Sequence, residues 1–366
     1  MTAQRPGGKK RKVIQLLSLC RLAGGVNNGR GPSFQECFVA GGQSLDHVGP
    51  TDNNLFNLGM QTLLESGRFA ILRVPGDRSS KPRSTVFGPL SRPLPDRKSM
   101  SRTPETTDIT GHLVFLGTGT SVGVPMIGCG CDVCNSQDPK NNRTRCSVIL
   151  GLPEGTLLID TPPDLRSQLL REQLGLVHAV LFTHEHADHL FGLDDLRIFQ
   201  FYLNGAVPLY CEPTVEQRIL QSYDYAFAPA RSSHAGATPK LSIQTIGTDP
   251  LTLLGTRITP IRLHHGTFMV LGFRIGNVAY CTDVNEIPEE SWPRLEGLDV
   301  LILGALRNRP HPTHFSVQQA IEVHQRLRPK RTLLTHLSHE LDHEATNAEL
   351  PAGVQLAYDG LKVPLT

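Results

Sequence analysis

Between Gly111 and Thr366 one pattern recurs: a short run of strand-forming residues that ends abruptly on histidine or aspartate. "AVLFT" runs into His184, "VAYCT" into Asp283, "RTLLT" into His336, and "TPIRL" into His264 and His265. Runs this short, apolar and rich in β-branched residues read as buried strands. Their polar terminators then fall on loops at sheet edges, where strand ends converge and layered α/β proteins place their sites. Further runs of the same kind are "LVFLG", "SVILG", "TLLID", "VPLYC", "VLGFRI", "DVLILGA" and "QLAYDG". Helices fit "PDLRSQLLREQLG", "LDDLRIFQFYLN", "PTVEQRILQSYDYAF" and "FSVQQAIEVHQRLR"; in the last, Ser316 and Gln319 stand at capping-box spacing. This mixture of strands and helices predicts stacked sheets covered by helices.

Residues 1–110 are built differently. They carry 16 Lys/Arg against 8 Asp/Glu, whereas the rest carries 20 against 26. "RPGG", "NNGRGP" and "GDRSSKPRSTVFGPLSRPLPDRKSMSRTPETT" interrupt any periodicity, and such composition buries too little apolar surface to offset backbone entropy. A largely disordered basic extension is expected over 1–110, with a short helix around "NLFNLGMQTLLESGRFAIL", followed by one folded domain over 111–366. The start has no acid before Glu36 and a basic-then-apolar order, traits shared by secretory signals and organellar transit segments. Arg21 interrupts the apolar stretch and no clean small-residue cleavage site follows; a start placed upstream of the real protein fits equally well. "KKRK" reads as a nucleic-acid patch or, more commonly, a solvated tail. No apolar run approaches the roughly 20 residues that cross a bilayer, so no membrane role is expected. Eight cysteines in 366 residues are too sparse for a disulfide scaffold. Three of them crowd into "CGCDVC" at Cys129, Cys131 and Cys134, which points to metal binding in a reducing, cytoplasmic compartment.

"LFTHEHADHLFGLDD", residues 181–195, places His184, His186, Asp188 and His189 within six positions. Imidazoles so close together repel on protonation unless a cation holds them. Mixed nitrogen and carboxylate donors suit Zn, Mn or Fe better than Ca or Mg. His184 and His186 point the same way from an extended segment, while Asp188 and His189 turn toward a second position as a helix begins. Four ligands are too many for one open site, so two metals are expected, with Asp283 as a bridge and His265 and His336 completing one site each. Two metals about 3.5–4 Å apart hold a hydroxide nucleophile and polarise a phosphoryl or carbonyl oxygen.

The run from His184 to His189 resembles the HxHxDH signature of the metallo-β-lactamase fold superfamily. With "FLGTGTSVGVPMIGCGCDVC", "LLIDTPPDL", "HHGTFMVLGFRIG", "AYCTDV", "HPTHFS", "LLTHLSH" and "QLAYDG", the likeness extends over 113–366. It is to the branch containing the phosphoribosyl 1,2-cyclic phosphodiesterase of the carbon-phosphorus lyase pathway. The resemblance implies an αββα four-layer sandwich with a dinuclear hydrolytic centre. His184, His186 and His265 would then hold one metal and Asp188, His189 and His336 the other, bridged by Asp283, with Asp160 supporting from behind. It places a general acid 22 residues before the last ligand, at His314, and a structural zinc on Cys129, Cys131, Cys134 and His339. A Cys3His set is independently the donor set of a closed structural zinc site.

The leading function is a metal-dependent phosphodiesterase using Zn or Mn on a small cyclic or nucleotide-like phosphodiester, with Asp188, Asp283 and His314 in the catalytic set. A homodimer is compatible with this reading. A tRNA-processing type of nuclease is the alternative; the acidic balance of 111–366 opposes it, although the basic tail could grip RNA. A third reading resembles the pyrroloquinoline quinone biosynthesis protein B. Tyr223, Tyr225, Phe227 and Arg231 could stack on a sugar or base and hold a phosphate, but aromatics at helical spacing are more often core. His311 is either a substrate neighbour or a loop residue. Glu185 reads as an exposed spacer, and His343 with Glu344 as a solvated helix start.

Overall fold

The computed structural model describes residues 103–227 and 236–365. The expected disorder and short helix of the extension, "KKRK" and Arg231 lie outside the described residues.

Two seven-stranded sheets face each other. The first follows the order β14-β1-β2-β3-β4-β5-β6. Its strands are β1 (His112–Gly117), β2 (Ser147–Leu152), β3 (Gly155–Ile159), β4 (Ala179–Leu181), β5 (Val207–Cys211), β6 (Leu241–Thr245) and β14 (Lys362–Pro364). The second follows β13-β12-β11-β10-β9-β8-β7. It contains β7 (Leu251–Leu253), β8 (Thr256–His265), β9 (Phe268–Ile275), β10 (Val278–Cys281), β11 (Val300–Gly304), β12 (Arg331–Thr335) and β13 (Val354–Leu356). The helices are α1 (Leu165–Arg171), α2 (Ala187–Leu190), α3 (Phe199–Tyr202), α4 (Pro213–Ser222), α5 (Asp224–Phe227), α6 (Val317–Leu327) and α7 (His343–Glu349).

Period-two alternation explains the layering. Leu113 and Phe115 of β1 point into the space between the sheets with Phe273, Tyr280, Ile302 and Leu333 from the second sheet. Val114 and Leu116 point outward onto Leu165 and Leu169 of α1. In the second sheet Leu301, Leu303 and Leu334 pack outward against Ala320 and Val323 of α6. Each sheet is therefore buried on both faces, which is why its runs are continuously apolar. The result is the αββα four-layer sandwich expected from the sequence.

Each sheet is parallel over half its width, β3 to β6 and β10 to β13. Parallel neighbours bring the carboxyl ends of β3, β4, β10 and β12 to one edge, so Asp160, His184, Asp283 and His336 emerge together. No helix among the described residues is long and apolar enough to cross a membrane.

Some local expectations differ from the structure. β6, β7 and β14 are short strands at or beside sheet edges, partly exposed, and lack a fully apolar run. "LDDLRI" forms a 3-10 turn, Leu193–Ile198, before α3 takes over. There the Asp194 and Arg197 side chains pair at 2.5 Å, across the i,i+3 interval that 3-10 geometry eclipses. His343 is buried rather than solvated, because its helix packs down on the loop of Asn141, whose Oδ1 accepts from the His343 N–H at 2.9 Å.

Near the carboxyl end, Asp359 locks the first sheet. Its carboxylate accepts from Thr118 Oγ1 at 2.7 Å, Thr144 N at 2.9 Å and Thr144 Oγ1 at 2.7 Å, and pairs with Arg171 at 3.2 Å. Asp359→Ala strands these donors, and the expected loss is about 3 kcal/mol in chemical denaturation; a loss below about 0.5 kcal/mol would contradict this role.

Candidate metal centre

Three of the four acidic or basic strand terminators share an unusual backbone. Asp160, Asp283 and His336 have φ of +65°, +48° and +58°. For residues with a Cβ this conformation costs on the order of 1 kcal/mol each. It turns each side chain sharply off its strand end and over the shared edge.

Asp160 organises the first arrivals. Its carboxylate accepts from Thr183 N at 2.8 Å, Thr183 Oγ1 at 2.8 Å and His189 Nδ1 at 2.8 Å. Thr183 has spent its one hydroxyl proton on Asp160, so at 2.9 Å it accepts from His184 Nδ1–H. On the far side, His265 Nδ1 donates to the Thr313 carbonyl at 2.7 Å. In all three rings the proton is drawn to Nδ1, and the Nε2 lone pair is aimed inward.

Those lone pairs meet in one place. His184, His186 and His265 form one set able to hold a cation, and Asp188, His189, Asp283 and His336 form a second; within each set the donor atoms lie within 4.8 Å of one another. Asp283 faces both: its Oδ2 lies 3.9 Å from His184 Nε2, 3.8 Å from His265 Nε2 and 3.3 Å from His336 Nε2, and its Oδ1 lies 3.2 Å from His189 Nε2. His314 joins His265 and Asp283 in a further overlapping set. Its ring centroid is 4.6 Å from those of both His265 and His336.

The residues fit divalent cations. His184 Nε2, His189 Nε2 and both nitrogens of His336 are buried and have no hydrogen-bond partner among the described residues. Buried polar atoms left unpaired cost free energy unless another partner takes their lone pairs. Without a cation, burial opposes charge on His189, but Asp283, Asp188 and Asp160 overcome it and hold its pKa well above the usual imidazole value. Burial, then the neighbouring His189, pushes His184 well below that value. Burial likewise disfavours the Asp283 charge, yet His336 and His189 hold its carboxyl well below the ordinary range. The centre thus keeps carboxylates ionised beside inward-facing imidazoles, the donor chemistry of Zn, Mn or Fe.

A second cluster lies at the loop after His336. Cys129, Cys131, Cys134 and His339 place their donor atoms within 4.8 Å of one another, and His339 Nδ1 is 3.4 Å from Cys129 Sγ and 3.3 Å from Cys131 Sγ. The hydrogen bond with His339 draws the Cys131 thiol down to about 6. All three cysteines are free thiols. This set matches a closed Cys3His zinc site.

Sequence reading missed several residues here. Thr183 and Thr313 orient the rings of His184 and His265. Arg143, 1% exposed, donates to the carbonyls of Ser338 at 2.9 Å and Leu341 at 2.6 Å, and so ties the loop carrying His339 to the segment between the cysteines and β2. Phe268, half exposed, sets its ring edge-on to His186 at 5.4 Å and forms an apolar lip. Glu185 is half-buried rather than exposed. Tyr223 is core, and Tyr225 donates to Asp194. His264 turns away from the centre toward Glu286, at 3.3 Å.

A family model described as a Beta-lactamase superfamily domain matches residues 156–337. The chain belongs to that superfamily, and its fold is that of the metallo-β-lactamases. A crystal structure described as a new diphosphatase from the PhnP family superposes with a TM-score of 0.65 at 41% identity, covering 69% of this chain and 96% of that one. An octanoyltransferase of Porphyromonas gingivalis is 37% identical over 253 residues, 68% of this chain but 50% of that protein, so the chain spans about half the length of this curated relative. Zn(2+)-bound PqqB from Methylobacterium extorquens, at 21% identity and a TM-score of 0.57 over 69% of this chain and 100% of that one, shares the fold.

Thr183→Val removes the acceptor for His184 Nδ1 and a donor to Asp160 while keeping shape. It is expected to weaken divalent-cation affinity of the histidine cluster about tenfold or more in chelator competition, and unchanged affinity would contradict the orienting role. Cys131→Ser is expected to lower the melting temperature and the zinc content together; an unaltered melting temperature would count against a structural zinc at this cluster.

Proposed function

We propose that the chain is a dinuclear metal-dependent hydrolase of phosphoric esters, acting on a small cyclic or nucleotide-like phosphodiester. His184, His186 and His265 are assigned to one cation and Asp188, His189 and His336 to the other, with Asp283 between them. The observation that carries this reading is the convergence of buried, unpartnered imidazole nitrogens on the two oxygens of Asp283. Two divalent cations held there supply Lewis acidity toward a phosphoryl oxygen and neutralise charge that develops on it.

The protein's own groups supply the rest. Asp160, Thr183 and the Thr313 carbonyl fix ring tautomers before substrate arrives, so little reorganisation is left for the reaction itself. Burial of the donors excludes bulk water. His314 stands beside both clusters but is not one of the seven residues assigned to the two cations, and one of its ring nitrogens is the proposed carrier of the proton for the departing oxygen. Burial, then His336, lowers the His314 pKa to about 3 in the cation-free centre. A bound phosphoryl group acts in the opposite sense, because its negative charge favours the imidazolium.

The diphosphatase described for the PhnP-family relative supports phosphoric-ester or phosphoric-anhydride chemistry at this site. The octanoyltransferase name is not carried over, since half of that protein has no counterpart in the aligned region. An RNA substrate is opposed by the acidic balance of residues 111–366.

The test is hydrolysis by the Mn- or Zn-loaded full chain of 5-phosphoribosyl 1,2-cyclic phosphate, a nucleoside diphosphate, an aryl phosphodiester and a short RNA. Turnover of the cyclic sugar phosphate or aryl diester above the others is expected. Selective RNA cleavage would replace this reading with the nuclease one, and no hydrolysis of any probe would overturn it. Asp283→Ala is expected to bring turnover to background and to lower metal content; full activity in that variant would remove Asp283 from its bridging position.

A further inference from the structure

The strand runs that end on His184, Asp283 and His336 share one more feature: a threonine stands immediately before each, as Thr183, Thr282 and Thr335. All three are buried. Thr183 donates to Asp160 and accepts from His184. The Thr335 hydroxyl lies 3.4 Å from the Cys146 thiol. Thr282 alone is bonded to the ligand that follows it through that ligand's carboxylate: its Oγ1 lies 2.7 Å from Asp283 Oδ1. An ionised carboxylate only accepts, so the hydroxyl donates.

Neighbouring side chains on a strand point to opposite faces and do not ordinarily meet. The left-handed backbone of Asp283, at φ +48°, swings its carboxylate back within reach of Thr282. Gly304 of β11 presses on the same peptide, where a Cβ would come within 3.1 Å of Asp283 N and 3.6 Å of Thr282 Cα. Thr282 is itself β-branched, so rotation about its Cα–Cβ bond is restricted and its hydroxyl keeps one aim.

This bond makes the two oxygens of Asp283 unequal. Oδ1 takes the hydroxyl proton and lies 3.2 Å from His189 Nε2. Oδ2 is left among imidazoles of both cation sets, 3.9 Å from His184 Nε2, 3.8 Å from His265 Nε2 and 3.3 Å from His336 Nε2. The terminal torsion of an aspartate is broad, so a free carboxylate would turn and exchange these positions. The Thr282 hydrogen bond opposes that rotation.

We propose that Thr282 is a positioning residue for the centre: by holding Asp283 Oδ1 it keeps Oδ2 between the two cation sets, and so secures the second cation beside the first. The proposal rests on the dinuclear reading above and assigns Thr282 no contact with substrate.

The test titrates Mn into the full chain, its histidine cluster first cleared by a chelator, in wild type, Thr282→Val, Thr282→Ser and Thr335→Val. Calorimetry reads affinity and electron paramagnetic resonance reads whether the Mn ions are paired. Wild type is expected to take up two Mn and to give the signal of a spin-coupled pair. Thr282→Val keeps the shape without the donor, and its affinity for the second Mn is expected to fall about tenfold or more. At two equivalents its coupled signal gives way to that of isolated Mn. Thr282→Ser, which retains the hydroxyl, is expected to recover most of the affinity. Thr335→Val loses an equally buried hydroxyl before a ligand and is expected to bind Mn as wild type does. Should Thr282→Val not fold, Thr282→Ala removes the same hydroxyl and is read in its place. With two Mn in wild type, unchanged affinity without the Thr282 hydroxyl, no recovery in Thr282→Ser or an equal loss in Thr335→Val would overturn the positioning role alone. Fewer than two Mn in wild type would overturn the dinuclear reading and this proposal with it.

Discussion

A single buried carboxylate, that of Asp160, sets the orientation of the centre. It sits at the end of a strand in a backbone conformation that costs free energy, and three hydrogen bonds converge on it. Burial raises the pKa of such a group, whereas the three donors and the neighbouring His189 favour its ionised form. Through Thr183 and His189 it decides which nitrogen of two imidazoles carries the proton, although Asp160 belongs to neither cation set. The choice matters because an imidazole offers only one lone pair when neutral. Were the tautomers reversed, the inward nitrogens would carry protons and repel the cation they are placed to receive.

The layered architecture makes this arrangement affordable in conformational terms. Parallel halves in both sheets align the carboxyl ends of their strands, so residues far apart in sequence arrive preassembled on a rigid edge. Backbone strain at Asp160, Asp283 and His336 is opposed by cores on both faces of each sheet. The cysteine cluster is tied to this edge through His339, only three residues beyond His336. Arg143 reinforces the connection: its planar fork holds the carbonyls on either side of His339 and Glu340, a geometry lysine cannot reproduce.

Much of this was legible in the chain itself. The strand runs and their polar terminators foretold the sheet edge, because side-chain period and burial leave a direct trace in residue order. The dense run from His184 to His189 likewise marked residues whose donor atoms the structure brings together with those of His265, Asp283 and His336. Long-range partners left no such trace. Arg143 and Ser338 are 195 positions apart, and His265 and Thr313 are 48 apart. Threonines such as Thr183 look like ordinary strand residues until their neighbours are in place. The 3-10 turn at Leu193–Ile198 leaves no distinct trace in residue order either, since helical and 3-10 segments share composition and differ mainly in tertiary demands.

The number of cations the folded chain holds decides whether the centre is dinuclear. Elemental analysis of the full-length protein, purified without chelators, measures this directly. The expected result is three divalent cations per chain, two of which a competing chelator removes while the circular-dichroism signature of the fold persists. A folded, chelator-free chain that retains one cation or none, and takes up no more on addition of Zn or Mn, would contradict the dinuclear centre.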